Sequence, residues 1–342
     1  MADLWDRVLR LFGRTPVRLI QQAPPPAKGY PNTLTNFSDE EHVKRPQIFE
    51  PSLRHFPRAF RQGDPRFDDS VTALRWHTAR RTVMDSLLKR IAESSVSENC
   101  VLRGSRLMTA WFSSKAREPG DLDWVIVPRS IQFNDRSAYQ IMAEIPQVIE
   151  QDPVLNIVPC VIEEIPMIEE VQILTSKIRS DEIWSYERTP GVRIVVPWRA
   201  AGVPPGSIQM DFAFGERLLQ PPVNESISLF DGTTASLKVV TPEQSLLWKA
   251  QWLLTDMSPQ GKDLYDAILL AEHVTMPLEL LKVAVGHADP WWADKIPTLK
   301  DFEELSVEWE DFVNEYSWIE GTEADWIARL VQALRPTFEA VN

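Results

Sequence analysis

The chain has 342 residues, 44% hydrophobic and 25% charged, with a net charge of −13. That length suffices for one large or two ordinary domains, and the acidic balance makes the whole chain a poor non-specific binder of nucleic acid. Cys100 and Cys160 build no disulfide framework, the five histidines have no zinc spacing, and no apolar run approaches the roughly 20 residues that span a bilayer; a reduced, cytoplasmic protein without a membrane partner is expected.

Residues 2–13 read as a short helix with Leu4, Val8, Leu9, Leu11 and Phe12 on one side, able to dock a partner or to pack on its own body. Its acids speak against a secretory signal. Residues 15–67 carry nine prolines and no sustained periodicity. An extended arm is expected, so residues 1–67 stand apart as N-terminal helix and Pro-rich arm. Val71, Leu74, Val83, Leu87, Leu88 and Ile91 predict a helix over 70–93. The basic stretch 54–90 holds nine Lys or Arg against four Asp. Two readings fit it: a face for phosphates, or the solvated side of a helix.

A short strand, Asn99–Arg103, leads into a Gly104-Ser105 turn, a helix Ser105–Phe112 and a strand Leu122–Val127. A helix over 131–149 and strands over Ile157–Ile162, Val171–Ile178, Arg193–Val196 and Ser207–Phe214 follow, with Pro204-Pro205-Gly206 as a turn. From Thr241 the texture becomes helical: Thr241 is the expected N-cap, Pro242 the first turn, Gln244 the capping-box residue. Helices are expected over 242–255, 261–273, 277–284, 300–317 and 322–334. The fold class is therefore α/β (α+β): a mixed-sheet domain over 68–235 and a helical domain over 236–342.

Chemistry concentrates in VLRGSRLMTAWFSSKAREPGDLDWVIVP, residues 101–128. Asp121 and Asp123 are two apart on a strand, so they share a face, and a divalent cation relieves their repulsion. Gly104 lets backbone approach a phosphate, and Ser105 adds a hydroxyl donor at a helix N-terminus. Nucleotidyl transfer by two metals asks for a third carboxylate on a neighbouring strand. Asp211, between Met210 and Phe212, supplies it; it would hold the second metal and accept the proton of the attacking hydroxyl.

Gly104-Ser105, Arg117-x-x-x-Asp121-x-Asp123 and Asp211 resemble the polymerase-beta-type nucleotidyltransferase superfamily. Thr241-Pro242-Glu243-Gln244-Ser245-Leu246-Leu247-Trp248-Lys249, then Lys262-Asp263-Leu264-Tyr265-Asp266, resemble its AbiEii/AbiGii and MenT toxin family, over about residues 70–275. Pro119 stands where that family usually has serine, so any role of that serine is absent here. The resemblance implies Mg²⁺ or Mn²⁺ on Asp121, Asp123 and Asp211. It implies an NTP co-substrate met by Gly104, Ser105, Arg117, Lys249 and Asp263, with Lys249 also catalytic. Lys249 lies on an apolar helical face, where a triphosphate could partner it or the chain could snorkel. Asp263 would pair with Lys249 or orient the nucleotide, and Asp266 would cap or bridge locally. Arg117 could meet phosphate or pair with Glu118. Arg103 and Arg106 are weaker phosphate candidates.

The implied activity is transfer of a nucleoside monophosphate to a hydroxyl, with a tRNA 3′ end as acceptor and an antitoxin protein as partner. AMP transfer to a protein or an antibiotic-like small molecule, and a non-catalytic nucleotide-binding module, are the alternatives. Trp291, Trp292, Trp309, Trp318 and Trp326, in or beside an acidic tail, read as core residues or as base-stacking platforms.

Overall fold

Alternating burial along two strands sets the centre of the sheet. In Asp121–Ile126 (β4) Leu122 and Trp124 are buried while Asp121 and Asp123 are half-buried, and Gly206–Ala213 (β9) alternates in the same way. The structure is a computed structural model that describes residues 31–34, 43–49, 60–157, 168–184 and 189–339. The helix expected over 2–13, much of the arm, and nearly all of the strand expected over Ile157–Ile162 lie outside the described residues.

Within the arm, Gln47–Phe49 (β1) and Phe60–Gln62 (β2) pair antiparallel, so the described part is more than an extended strap. The remaining strands form one mixed sheet. They are Cys100–Arg103 (β3), Val154–Asn156 (β5), Glu170–Ile173 (β6), Arg179–Trp184 (β7), Pro190–Ala200 (β8), Val223–Ser228 (β10) and Thr234–Val239 (β11). Their order is β10-β11-β3-β4-β9-β8-β6-β5, with β7 also on β8. β4 and β9 run parallel; β8 is antiparallel to β9, β7 and β6.

Ser70–Glu93 (α1) opens on Asp69, whose carboxylate accepts from the Val71 and Thr72 N–H groups at 3.2 and 2.8 Å. Its Trp76 meets Trp198 of β8 with ring centroids 5.5 Å apart, on the sheet face that also stacks Trp124 over Phe212. Arg136–Ile149 (α3) packs against α1. The strand expected over Val171–Ile178 ends at Ile173, where Thr175–Lys177 turns as a short 3-10 segment.

The chain divides into two compact units. One is Met1–Leu102, Gly120–Glu216 and Asn224–Lys238; the other is Arg103–Pro119, Arg217–Val223 and Val239–Asn342. The second holds Ser105–Phe112 (α2) and the helices Pro242–Thr255 (α4), Gly261–Ala271 (α5), Leu278–Ala288 (α6), Leu299–Glu303 (α7), Trp309–Glu315 (α8) and Glu323–Glu339 (α9). Thr241 caps α4 by accepting from Gln244 N–H at 3.2 Å. Gln244 does not reciprocate: its carbonyl accepts from Leu219 and Gln220 N–H at 2.8 and 3.0 Å. The helix expected over 300–317 is two helices, because Glu308 N–H is taken by Pro259 O at 2.8 Å and Val307 N–H by Glu323 at 2.7 Å. Trp292 and Trp309 are core and Trp326 half-buried, whereas Trp291 and Trp318 are 58% and 55% exposed.

Candidate active site

Strand register builds the first cluster. Asp123 on β4 stands directly opposite Asp211 on β9, and Asp211 directly opposite Arg193 on β8. Paired residues share a face, and Asp121 joins Asp123 by the two-residue repeat. The alternate positions, Leu122, Trp124, Met210, Phe212, Val192 and Ile194, are buried and apolar. The pleat thus separates a dry face from a face lined by charge.

Arg193 completes that face and was not anticipated. Its Nε and Nη2 donate to the two Asp211 carboxylate oxygens at 2.8 and 2.7 Å. The sequence carries half of the signal, a lone cation inside the apolar strand Gly191-Val192-Arg193-Ile194-Val195 and a lone acid in Met210-Asp211-Phe212; their meeting comes from strand register. Among the described residues no group of three or more His, Cys, Asp or Glu side chains is arranged to hold an ion. Asp121 and Asp123 nevertheless suit Mg²⁺, which commonly takes one or two carboxylates and completes its shell with water and substrate phosphates.

Arg80 of α1 fixes the approach to this strand. Its Nη2 donates to Gly120 O at 2.6 Å, and its Nη1 pairs with Asp64 at 2.9 Å. Other cations of the basic stretch are also engaged within the chain. Arg75 donates to Ala201 O, Arg81 lies over Phe230, Lys89 pairs with Asp231, and Arg90 donates to the carbonyls of Ile149 and Asp152. They act as tethers, a role neither earlier reading gave them.

The second unit holds the other sequence-predicted residues. Gly104 caps α2 with φ +83°, a conformation that side-chain-bearing residues rarely adopt, and Ser105 behind it is buried. Arg103 lies over the Trp248 ring at 5.0 Å, and Arg106 donates to Thr109 at 3.0 Å. Arg117 forks onto Asp266 at 3.2 and 2.9 Å. Lys249 donates to Asp263 at 2.7 Å and pairs with Asp266 at 3.2 Å. Asp266 is thus the hub of a buried network linking residues 149 positions apart, not a local bridge. Asp263 and Asp266 are three apart on α5 and so present both carboxylates to one side. Two acids and two bases balance, which is what burial of charge requires.

The network shifts the titration of its members. Burial alone would favour the neutral Asp266 acid, but Arg117 and then Lys249 overcome it and hold the carboxyl below its usual range. Burial opposes the Lys249 and Arg117 charges, and the Asp263 and Asp266 carboxylates overcome it, so both bases are raised. Asp256, at the end of α4, has Lys262 nearby, but that cation is outweighed. Burial and the nearby Asp263 push the Asp256 carboxyl up to about 6. Cys100 is buried on β3, and burial pushes its thiol up to about 12, which leaves it inert.

The chain matches the family described as nucleotidyl transferase AbiEii toxin, type IV TA system, over residues 86–326. It belongs to that family. No curated protein matches it. The AbiEii assignment makes the chain a nucleotidyltransferase of a toxin–antitoxin system and spans both units. No helix among the described residues is long and apolar enough to cross a membrane.

Proposed function

We propose that this AbiEii protein transfers a nucleoside monophosphate from an NTP to a hydroxyl of RNA, most simply a tRNA 3′ end, with Mg²⁺ or Mn²⁺ at Asp121 and Asp123. The observation that carries the reading is the register Asp123–Asp211 with Asp121 on the same face. In the reaction the acceptor oxygen bonds to the α-phosphorus, the bond from that phosphorus to the bridging oxygen breaks, and pyrophosphate leaves. A bound cation would polarise the phosphoryl group and offset charge on the leaving pyrophosphate. The chain's own part is positioning: β4 and β9 hold the acids in one row, and Arg80 anchors the backbone before Asp121. Asp211 can take the acceptor proton or a second cation only to the extent that Arg193 releases it.

From the second unit we assign Gly104, Ser105, Arg117, Lys249 and Asp263 to the nucleotide, on the family resemblance. What supports this beyond the resemblance is a glycine with positive φ at a helix N-terminus; Arg117 and Lys249 are already balanced by Asp266 and Asp263, so their part rests on the resemblance. A cognate antitoxin protein is the expected partner of a toxin of this family.

Incubation with each of four α-labelled NTPs, total RNA and Mg²⁺ tests the proposal. Label in the tRNA fraction is the predicted result. Label in protein or in a small molecule would move the acceptor to the adenylyl-transfer alternative, and label nowhere would favour a nucleotide-binding module.

A further inference from the structure

We infer that Arg193 is a positioning residue that a divalent cation must compete with for Asp211, so that cation affinity is held low until nucleotide phosphates add their oxygens. This deepens the reading above and rests on its assignment of Asp121 and Asp123 to the cation.

The geometry is specific. Both Asp211 oxygens accept from one guanidinium at 2.8 and 2.7 Å, the planar two-bond fork that arginine makes and lysine cannot. Arg193 is only 4% exposed. A cation so buried is retained where an acid meets it directly. The register places it at the end of the row Asp123–Asp211–Arg193, on adjacent strands. Arg193 therefore neutralises Asp211 directly, at the end of a row that carries two further acids.

Two effects on a cation follow. The guanidinium turns the Asp211 lone pairs toward itself, and its charge repels a second positive charge a few ångströms away. Asp121 and Asp123 alone make a weak site for a hard cation that gives up water reluctantly. The triphosphate then supplies the oxygens that Asp211 withholds, and the ion is bound with nucleotide rather than before it.

Free Mn²⁺ is titrated into the full chain without nucleotide and followed by the loss of its free-ion EPR signal. The proteins are the parent, Arg193→Gln, Arg193→Lys and Asp123→Asn, with circular dichroism as the check of fold. Arg193→Gln is expected to bind roughly tenfold tighter than the parent. Arg193→Lys, which keeps a cation and hence the fold, should bind roughly threefold tighter, because an ammonium cannot hold both oxygens in one plane. Asp123→Asn should lose the binding. If the folded Arg193 variants match the parent while Asp123→Asn loses binding, the role of Arg193 is overturned and the cation assignment stands. Binding unaffected by Asp123→Asn, or absent from every protein, overturns both.

Discussion

Asp266 accepts from Arg117 and Lys249 at once, so removing any partner strands a charge away from water. Arg117→Met should destabilise the protein by about 3–5 kcal/mol, read as a fall in the chemical-denaturation midpoint. The carboxyl of Asp266 is held below its ordinary value of 3.8, so its contribution is present above that pH and is lost as pH falls below it. Asp256 has the opposite sign. Its carboxyl rises from 3.8 to about 6, so the folded state binds the proton more tightly and stability declines as pH climbs through that window. Asp256→Asn should stabilise the protein at pH 7 by about 1–2 kcal/mol, after discounting for the partial exposure of the side chain, and the gain should vanish below pH 4. Denaturation curves of parent and variant at pH 4 and pH 7 decide this.

At the scale of elements, capping and periodicity were the legible signals. Ser105–Phe112 and Pro242–Thr255 fall where the Gly-Ser turn and Thr241 place them. The mixed sheet followed by helices was likewise readable, because β4 and β9 alternate around their acids before running into apolar ends. β7, β10 and β11 were not anticipated: Arg179–Trp184, Val223–Ser228 and Thr234–Val239 are polar on alternate positions and have few strong apolar residues. Their pairing comes from neighbours that a linear reading does not see. The Arg193–Asp211 pair was hidden for the same reason, since the two are 18 residues apart and meet only through antiparallel register. Gly206 shows how register demands a residue. A Cβ there would sit 2.3 Å from the Trp198 ring, so Gly206→Ala should cost about 1–3 kcal/mol and lower the melting temperature, although the turn itself lies nearer Gly202 with φ +70°.

At the scale of the whole molecule, net charge and local charge tell different stories. The chain is acidic at −13, and the cations described on α1 are engaged with its own carbonyls, acids and rings. Neutralising Arg75 and Lys89 together should leave the salt dependence of RNA labelling unchanged, whereas a phosphate-contacting role would lower the slope by about one per residue. On the proposed function the chemistry belongs to the acid row and not to the basic helix. The most direct measurement compares transfer of α-labelled NMP by the parent, Asp121→Asn and Asp123→Asn at saturating Mg²⁺, with circular dichroism spectra matched. Both variants are expected to keep the fold and lose at least about a thousandfold in rate. Transfer by either folded variant at the parent's rate would contradict the proposed function.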